Sequence, residues 1–252
     1  MGCKACGRKK NYMEIKGIIF DYGGTIDTDG DHWSHIIRDG WNKAGIAADD
    51  ALFREAYVYG ERELERTLKI LPQHDFSDLM NIKIQLELQY LAQNGDFPPA
   101  QVEAKAAEIA SYCYEVAKEN TSKARSVLQM LSKKYPIVLV SNFYGNLDSV
   151  LKDFGLSDCF KKVIESAKVG VRKPSSAILE MGISALHLKP EEVLVVGDSF
   201  KNDIAPARKL GCQTLLLDGK KWEGEETISP DELKTINSLD EIFKFLESYQ
   251  EI

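Results

Sequence analysis

Four short apolar runs, each ending at or just before a polar residue or a glycine, limit the folds open to this 252-residue chain. They lack alternation of polar and apolar residues, as do strands of a parallel sheet that is covered on both faces. The runs are IKGIIF (15–20), PIVLVS (136–141), EVLVVG (192–197) and QTLLLD (213–218). Helical patterns lie between or after them, at Lys123–Lys134, Leu147–Phe154, Ser175–Leu186, Ile204–Leu210 and Leu239–Ser248. This alternation predicts an α/β fold with a doubly wound, Rossmann-like parallel sheet.

The region 31–121 differs because almost all of it has the apolar spacing of helices. The clearest segments are LFREAYVYGERELERTL, LMNIKIQLELQYLA and the Ala-rich AQVEAKAAEIASYCYEVAKE. We interpret this region as an all-helical cap domain inserted after the first strand, with hinges near 28–32 and 119–123. The predicted organisation is therefore an N-terminal tail (1–12), an α/β core (13–30 and 122–252) and a cap (31–121).

Composition narrows the classes of partner. The formal net charge of −7 argues against a nucleic-acid-binding surface but leaves small phosphorylated molecules possible. No apolar run approaches about 18 residues, so no membrane span is expected. The first residues lack the apolar centre of a secretory signal, and the odd number of cysteines, five, fits a reducing compartment. We expect a cytoplasmic monomer or homodimer that acts on a small molecule.

Polar groups follow the predicted strands where they end, at the edge at which sites form in doubly wound sheets. Carboxylates suit Mg²⁺, whereas a hydroxyl, backbone N–H groups and an ammonium suit a phosphoryl group. An aspartate beside a metal can also act as a nucleophile and form an aspartyl phosphate. The groups at strand ends are Asp21 with Gly23, Gly24 and Thr25; Ser141 and Asn142; and Asp198, Ser199, Asn202 and Asp203. The loop before the third predicted strand adds Arg172 and Lys173.

Four of these features, in this order, resemble the haloacid dehalogenase-like hydrolase superfamily, which consists largely of magnesium-dependent phosphatases. They are Asp-x-x-Gly-Thr at 21–25, Ser141, Lys173 within RKP, and Gly-Asp with a second aspartate at 203. The similarity extends over the chain from about residue 15 and includes a helical cap after the first motif. It implies hydrolysis of a small phosphorylated substrate with Mg²⁺ as the cofactor.

The resemblance also implies a role for each residue. Asp21 would be the nucleophile, Lys173 would neutralise nucleophile and phosphate, and Thr25 would fix the turn. The implied metal ligands are Asp21, the carbonyl of Gly23, Asp198 and Asp203; the catalytic residues are Asp21, Ser141 and Lys173; and the substrate-binding residues are Gly24, Thr25, Ser141, Asn142 and Lys173.

Each residue also has a purely structural interpretation. Asp21 could begin a turn, and Ser141 and Asn142 are ordinary residues at a strand end. Lys173 could be a solvated loop lysine. Asp203 could cap the helix that begins near Ile204. The case for a site rests on the occurrence of all the motifs together.

Position 23 departs from the family's pattern, because most phosphatases of the family have a second aspartate there. That residue protonates the leaving oxygen and activates water, which is typically worth ~10²–10⁴ in rate. Three hypotheses remain open. The chain is a phosphatase whose leaving group needs little protonation or whose proton donor comes from the cap, with His32 and His35 as candidates. Alternatively, it cleaves a phosphonate or releases halide, or it binds a phosphorylated ligand without turnover.

The cap is expected to select the substrate, since aromatic side chains commonly line ligand pockets. The alternative is that aromatic residues at helical spacing form the core. The candidates for facing the site are Trp33, Trp41, Tyr57, Tyr59 and Arg38.

Overall fold

The computed structural model describes residues 14–67, 69–222 and 233–248. The predicted tail (1–12), with Cys3 and Cys6, lies outside these residues. Within them the chain forms a parallel sheet with helices on both faces and a helical cap, which confirms the predicted fold class.

The sheet has six strands in the order β3-β2-β1-β4-β5-β6, and each neighbouring pair is parallel. The four predicted strands are confirmed as β1 (Gly17–Phe20), β2 (Ile137–Ser141), β4 (Val193–Gly197) and β5 (Gln213–Leu217). Two edge strands were not predicted, β3 (Lys162–Glu165) and β6 (Thr235–Ile236). β3 (KVIE) begins and ends with a charged residue and β6 has only two residues, so neither forms a recognisable apolar run.

Alternate residues of the central strands face opposite sides, as period-two geometry requires. Ile19, Val138 and Val195 pack with α7 (Ser176–Leu186) and α8 (Ala205–Leu210). Ile18 and Phe20 belong to the larger cluster on the other face. That cluster includes residues of α4 (Val102–Leu131), α5 (Leu147–Asp153) and α9 (Ile242–Ser248). A one-turn helix, α6 (Ser166–Val169), follows β3.

The cap consists of α1 (Trp33–Lys43), α2 (Asp50–Arg66), α3 (Phe76–Gln93) and the N-terminal part of α4. Asp49 caps α2, and Asp75 forms a capping box with Asp78 at the start of α3. The 30-residue α4 runs without a break through 119–123, where we had placed the second hinge. The sequence pattern predicts two helical segments here, and the structure has a single continuous helix. The larger apolar cluster is continuous from the sheet into the cap.

None of the helices in the described part of the chain combines the length and apolar character needed to cross a bilayer.

Candidate active site

Three buried aspartates meet at the carboxyl end of the sheet. Asp21 follows β1, Asp198 follows β4, and Asp203 lies in the π-helical turn Phe200–Ile204. One carboxylate oxygen from each lies within 4.8 Å of the others. The carboxylate of Asp203 accepts a hydrogen bond from the backbone N–H of Ser199 at 3.1 Å rather than capping α8. Both parallel-strand ends and the turn therefore bring the three predicted acids to one point.

Lys173 joins this cluster as its cation. Its Nζ atom lies 2.6 Å from Oδ1 of Asp21 and 2.7 Å from Oδ1 of Asp203. Burial lowers the pKa of Lys173, but Asp203 and Asp21 outweigh burial and raise it overall. Asn142 holds the lysine's loop against β2, since its side chain donates to the carbonyl of Lys173 at 3.0 Å and accepts from its N–H at 2.8 Å.

The turn after β1 fixes Asp198 in place. The hydroxyl of Thr25 donates to Oδ1 of Asp198 at 3.0 Å and accepts from the Asp198 backbone N–H at 3.1 Å. Gly24 has a φ of +91°, and a Cβ there would lie 2.5 Å from Oδ2 of Asp198. Only glycine meets both demands at this position. Ser141, the last residue of β2, is buried beside this turn in the neighbouring strand.

The donor set fits a divalent cation. Three carboxylates share the buried cluster with one ammonium, so negative charge exceeds positive. Burial raises the pKa of Asp198 well above its usual range, and the neighbouring Asp21 and Asp203 add to the effect. A hard cation bound by carboxylate oxygens would relieve that excess, and Mg²⁺ is the common choice for one or two carboxylates beside a phosphate.

Gly23 is not required by sterics. A Cβ at this position would meet no atom within 4 Å, and its φ lies outside the left-handed region. Gly23, Gly24, Asn142 and Asp198 line a cavity of about 380 Å³ between core and cap. A side chain at 23 would therefore be tolerated.

A fourth aspartate, Asp27, lines the same cavity and was not predicted. It is 1% exposed, and its carboxylate accepts from the N–H of Gly24 at 2.8 Å and from Nε1 of Trp33 at 3.0 Å. Burial raises its pKa to about 7, while the hydrogen bonds from Gly24 and Trp33 oppose the rise. An acid six residues after Asp21, just beyond the motif, was the signal available in the sequence.

Of the two histidine candidates, only His32 lines the cavity. Its Nδ1 accepts from the N–H of Ser34, and burial, with a smaller effect of Lys83, lowers its pKa to about 4. His32 is therefore neutral near pH 7. His35 instead donates from Nε2 to the carbonyl of Lys221 at 2.7 Å.

The aromatic candidates divide in the same way. Trp33 and Tyr57 line the cavity. Trp41 is fully buried against Phe53, Tyr59 packs on Tyr90, and Arg38 donates to the carbonyl of Ala48.

Comparison with known proteins finds a matching family. The family model of haloacid dehalogenase-like hydrolases matches residues 15–211. Glyceraldehyde 3-phosphate phosphatase of Methanocaldococcus jannaschii is 36% identical over 95 residues, which cover 37% of this chain and 41% of that protein. Ribulose-1,5-bisphosphate 5-phosphatase of Halopiger xanaduensis is 28% identical over 200 residues, which cover 78% of this chain and 80% of that protein. The match thus spans less than half of the first relative's length.

A solved structure has a similar fold. A magnesium-bound protein of Bacillus subtilis, described as a HAD-hydrolase, aligns over 93% of this chain and 100% of its own, with a TM-score of 0.57 and 18% identity.

Proposed function

Because the chain belongs to the haloacid dehalogenase-like hydrolases, we propose that it hydrolyses a small phosphate monoester through an aspartyl phosphate on Asp21. The observation that carries the proposal is the buried cluster of Asp21, Asp198, Asp203 and Lys173 beside a cavity between core and cap. The relatives named above are phosphatases of small phosphorylated compounds, and this supports the same class of substrate.

The residues divide the work in two steps. A carboxylate oxygen of Asp21 attacks phosphorus, and the bond from phosphorus to the leaving oxygen breaks as the leaving group takes a proton. Water then attacks the aspartyl phosphate, releasing inorganic phosphate and restoring Asp21. Lys173 holds the carboxylate of Asp21 and balances charge. Bound by Asp21, Asp198, Asp203 and the carbonyl of Gly23, Mg²⁺ would supply further neutralisation of the phosphate. Ser141 and the Gly24–Thr25 turn are proposed to contact the phosphoryl oxygens.

We assign the proton transfer to Asp27, since Gly23 has no side chain. Asp27 lines the cavity beside Gly23 and has a pKa of about 7, which suits an acid that gives its proton to the leaving oxygen near neutral pH. In the second step the same carboxylate takes a proton from water. His32 is less suited to donate because its ring is neutral at that pH.

Phosphonate cleavage is less well supported. The relatives that catalyse it depend on a cap lysine, and the cap lysine that lines the cavity is Lys83. Lys83 is ion-paired with Glu61, which with Tyr144 and Glu87 raises its pKa despite burial. An ammonium in this state does not serve as an amine nucleophile.

The test is hydrolysis of p-nitrophenyl phosphate and a panel of metabolite monoesters by the purified protein with Mg²⁺. Asp21→Asn should abolish turnover, and trapped wild-type protein should carry phosphate on Asp21. Unchanged activity of Asp21→Asn would overturn the nucleophile assignment. Tight binding of phosphate esters without any turnover would instead favour a ligand-binding protein, and halide release without metal would favour dehalogenation.

A further inference from the structure

The cap side of the cavity contains a buried ion pair. Lys83 of α3 is 5% exposed, and its Nζ contacts Oε1 of Glu61 on α2. Tyr144, from the core loop after β2, donates its hydroxyl to Oε2 of Glu61 at 2.7 Å. The Lys83 ammonium also lies 4.3 Å from the ring centroid of Tyr57. All four side chains line the cavity.

The charges of this pair cancel. The pKa of Glu61 is lowered, because Lys83 and the Tyr144 hydroxyl outweigh burial, and the pKa of Lys83 is raised. Glu61 is therefore a carboxylate and Lys83 an ammonium over the physiological range. An ammonium already held by a carboxylate is a poor partner for a second anion, which would lie against Glu61 as well.

Among the described residues, the other charged groups on the cap side of the cavity provide no spare cation. Glu65 is a second acid lining the cavity, and Arg172 of the core pairs with it at 2.5 Å. His32 is neutral near pH 7, as its lowered pKa shows. Glu87, one turn beyond Lys83, has a pKa raised by burial to about 8 and is therefore mostly uncharged near pH 7. The described side chains that line the cavity away from the aspartate cluster thus carry no net positive charge.

The remaining wall is apolar and aromatic. It is formed by Trp33, Phe76, Leu79, Met80 and Phe143. Such surfaces pack against carbon skeletons, while a few polar groups orient hydroxyls. The Glu61 carboxylate has lone pairs that can accept a hydrogen bond from a substrate hydroxyl. The Lys83 ammonium has three N–H groups in all that can donate hydrogen bonds.

We propose that the Glu61–Lys83 pair makes the site selective for monoesters whose leaving group is uncharged and bears hydroxyls, and that it rejects esters with a second carboxylate or phosphate. The proposal rests on the phosphatase function above. Glu61 and Lys83 are thus specificity-determining residues. They select the substrate because their opposite charges cancel and leave no free charge for a second anionic group.

The experiment compares kcat/KM for two esters that differ in one group, glycerol 3-phosphate and 3-phosphoglycerate. The wild-type protein should prefer the glycerol ester by at least about tenfold, because the extra carboxylate faces Glu61. Glu61→Gln frees the charge of Lys83 and should shift the ratio toward phosphoglycerate by about tenfold or more. Lys83→Met leaves Glu61 unpaired and should shift the ratio the opposite way.

Glu63→Gln is the matched control, because Glu63 lies on the same helix but pairs with the exposed Arg66. It should leave the ratio unchanged. Turnover of p-nitrophenyl phosphate, measured for every variant, distinguishes failure of the selectivity proposal from failure of the phosphatase proposal. If wild-type protein hydrolyses it but treats the two esters equally or prefers phosphoglycerate, the selectivity proposal fails and the phosphatase stands. This outcome does not depend on any variant folding. Turnover of no ester would overturn both.

Discussion

Nζ of Lys173 lies 2.6 Å from Oδ1 of Asp21 and 2.7 Å from Oδ1 of Asp203, so one ammonium neutralises two buried carboxylates, one just after β1 and one in the π-helical turn after β4. The lysine therefore links the proposed nucleophile to the proposed metal site. Removing it would leave both acids buried without their cation, and such uncompensated burial is strongly destabilising.

Lys173→Met should lower kcat/KM by at least ~10² because the charge opposite the nucleophile is lost. Burial already raises the folded-state pKa of Asp203 to about 6, and loss of the opposing Lys173 charge would raise it further. The variant should therefore lose stability relative to wild type as pH rises above about 6. The melting temperature should fall further below wild type at pH 8 than at pH 5. Lys209→Met, at an exposed position, is the control; an equal deficit at both pH values would contradict the charge argument.

Gly23 and Gly24 should respond oppositely to the same change. Gly23→Ala meets open space and should change the free energy of unfolding by no more than about 1 kcal/mol, in the stabilising direction. Gly24→Ala places an alanine at a positive φ and brings its Cβ against Asp198. This should lower the free energy of unfolding by about 1–3 kcal/mol. Chemical denaturation of both variants measures the difference. Equal effects would show that the turn differs from this geometry.

Asp27→Asn should lower kcat on alkyl phosphates by about 10²-fold while changing p-nitrophenyl phosphate, whose leaving group needs little protonation, much less. In the wild type, the alkyl ester rate should fall as pH rises through about 7, because the acid form of Asp27 is lost. Trp33→Phe removes a hydrogen bond to the carboxylate, so the descending limb should move to higher pH. Equal losses on both esters would argue against an acid role.

Adding Gly23→Asp to the Asp27→Asn variant tests whether a carboxyl group at position 23 can replace Asp27 in the proton transfer. The new carboxyl group enters open space at the cavity wall and should restore part of the alkyl phosphate rate. Gly23→Asn in the same background lacks the proton and should restore none.

Mg²⁺ should stabilise the folded protein without any substrate. At 100 times its dissociation constant a ligand of the native state adds about 2.7 kcal/mol, which for a chain of this size is a rise of about 5–10 °C in melting temperature. Asp198→Asn should remove most of the rise, whereas Asp27→Asn should retain it. A rise that survives in Asp198→Asn would place the ion elsewhere.

Glu87 should make stability depend on pH. Its folded-state pKa is about 8 against an ordinary value of 4.5, so the folded protein binds its proton more tightly. Stability should therefore fall between pH 4.5 and 8, by up to about 3–5 kcal/mol, and Glu87→Gln should flatten that decline. Glu103→Gln, exposed on α4, should leave it in place. Thermal melts of the wild type and both variants at pH 5 and 8.5 measure the decline in stability. An undiminished decline in Glu87→Gln would contradict the prediction.

The sequence predicted the sheet and the acid–lysine cluster because both depend on local patterns. Apolar runs buried on two faces are visible without a partner, and parallel strand ends meet wherever the strands pair. Thus Asp21, Asp198, Asp203 and Lys173 could be placed together in advance. The edge strands could not be found, because β6 has two residues and its formation depends on β5 being there to pair with it.

The roles of the other polar residues depend on tertiary contacts that no local pattern encodes. The raised pKa of Asp27 arises from burial beneath Trp33 and the turn, and the neutrality of His32 arises from burial near Lys83. The Glu61–Lys83 pair needs two helices and a core loop in register. Such residues look like ordinary helical charges in the sequence.

Helix α4 has a mechanical consequence. Its thirty residues, at 1.5 Å per residue, form a helix about 45 Å long. The helix begins in the cap and ends in the apolar cluster of the core. The first connection between core and cap is the chain between β1 and α1. The second is the continuous helix α4. A movement of the cap relative to the sheet would tilt or bend α4, whose C-terminal residues Val127, Leu128 and Leu131 belong to the same apolar cluster as Ile18 and Phe20 of β1. The position of the cap is thus coupled through one apolar cluster to β1, the strand that ends next to Asp21.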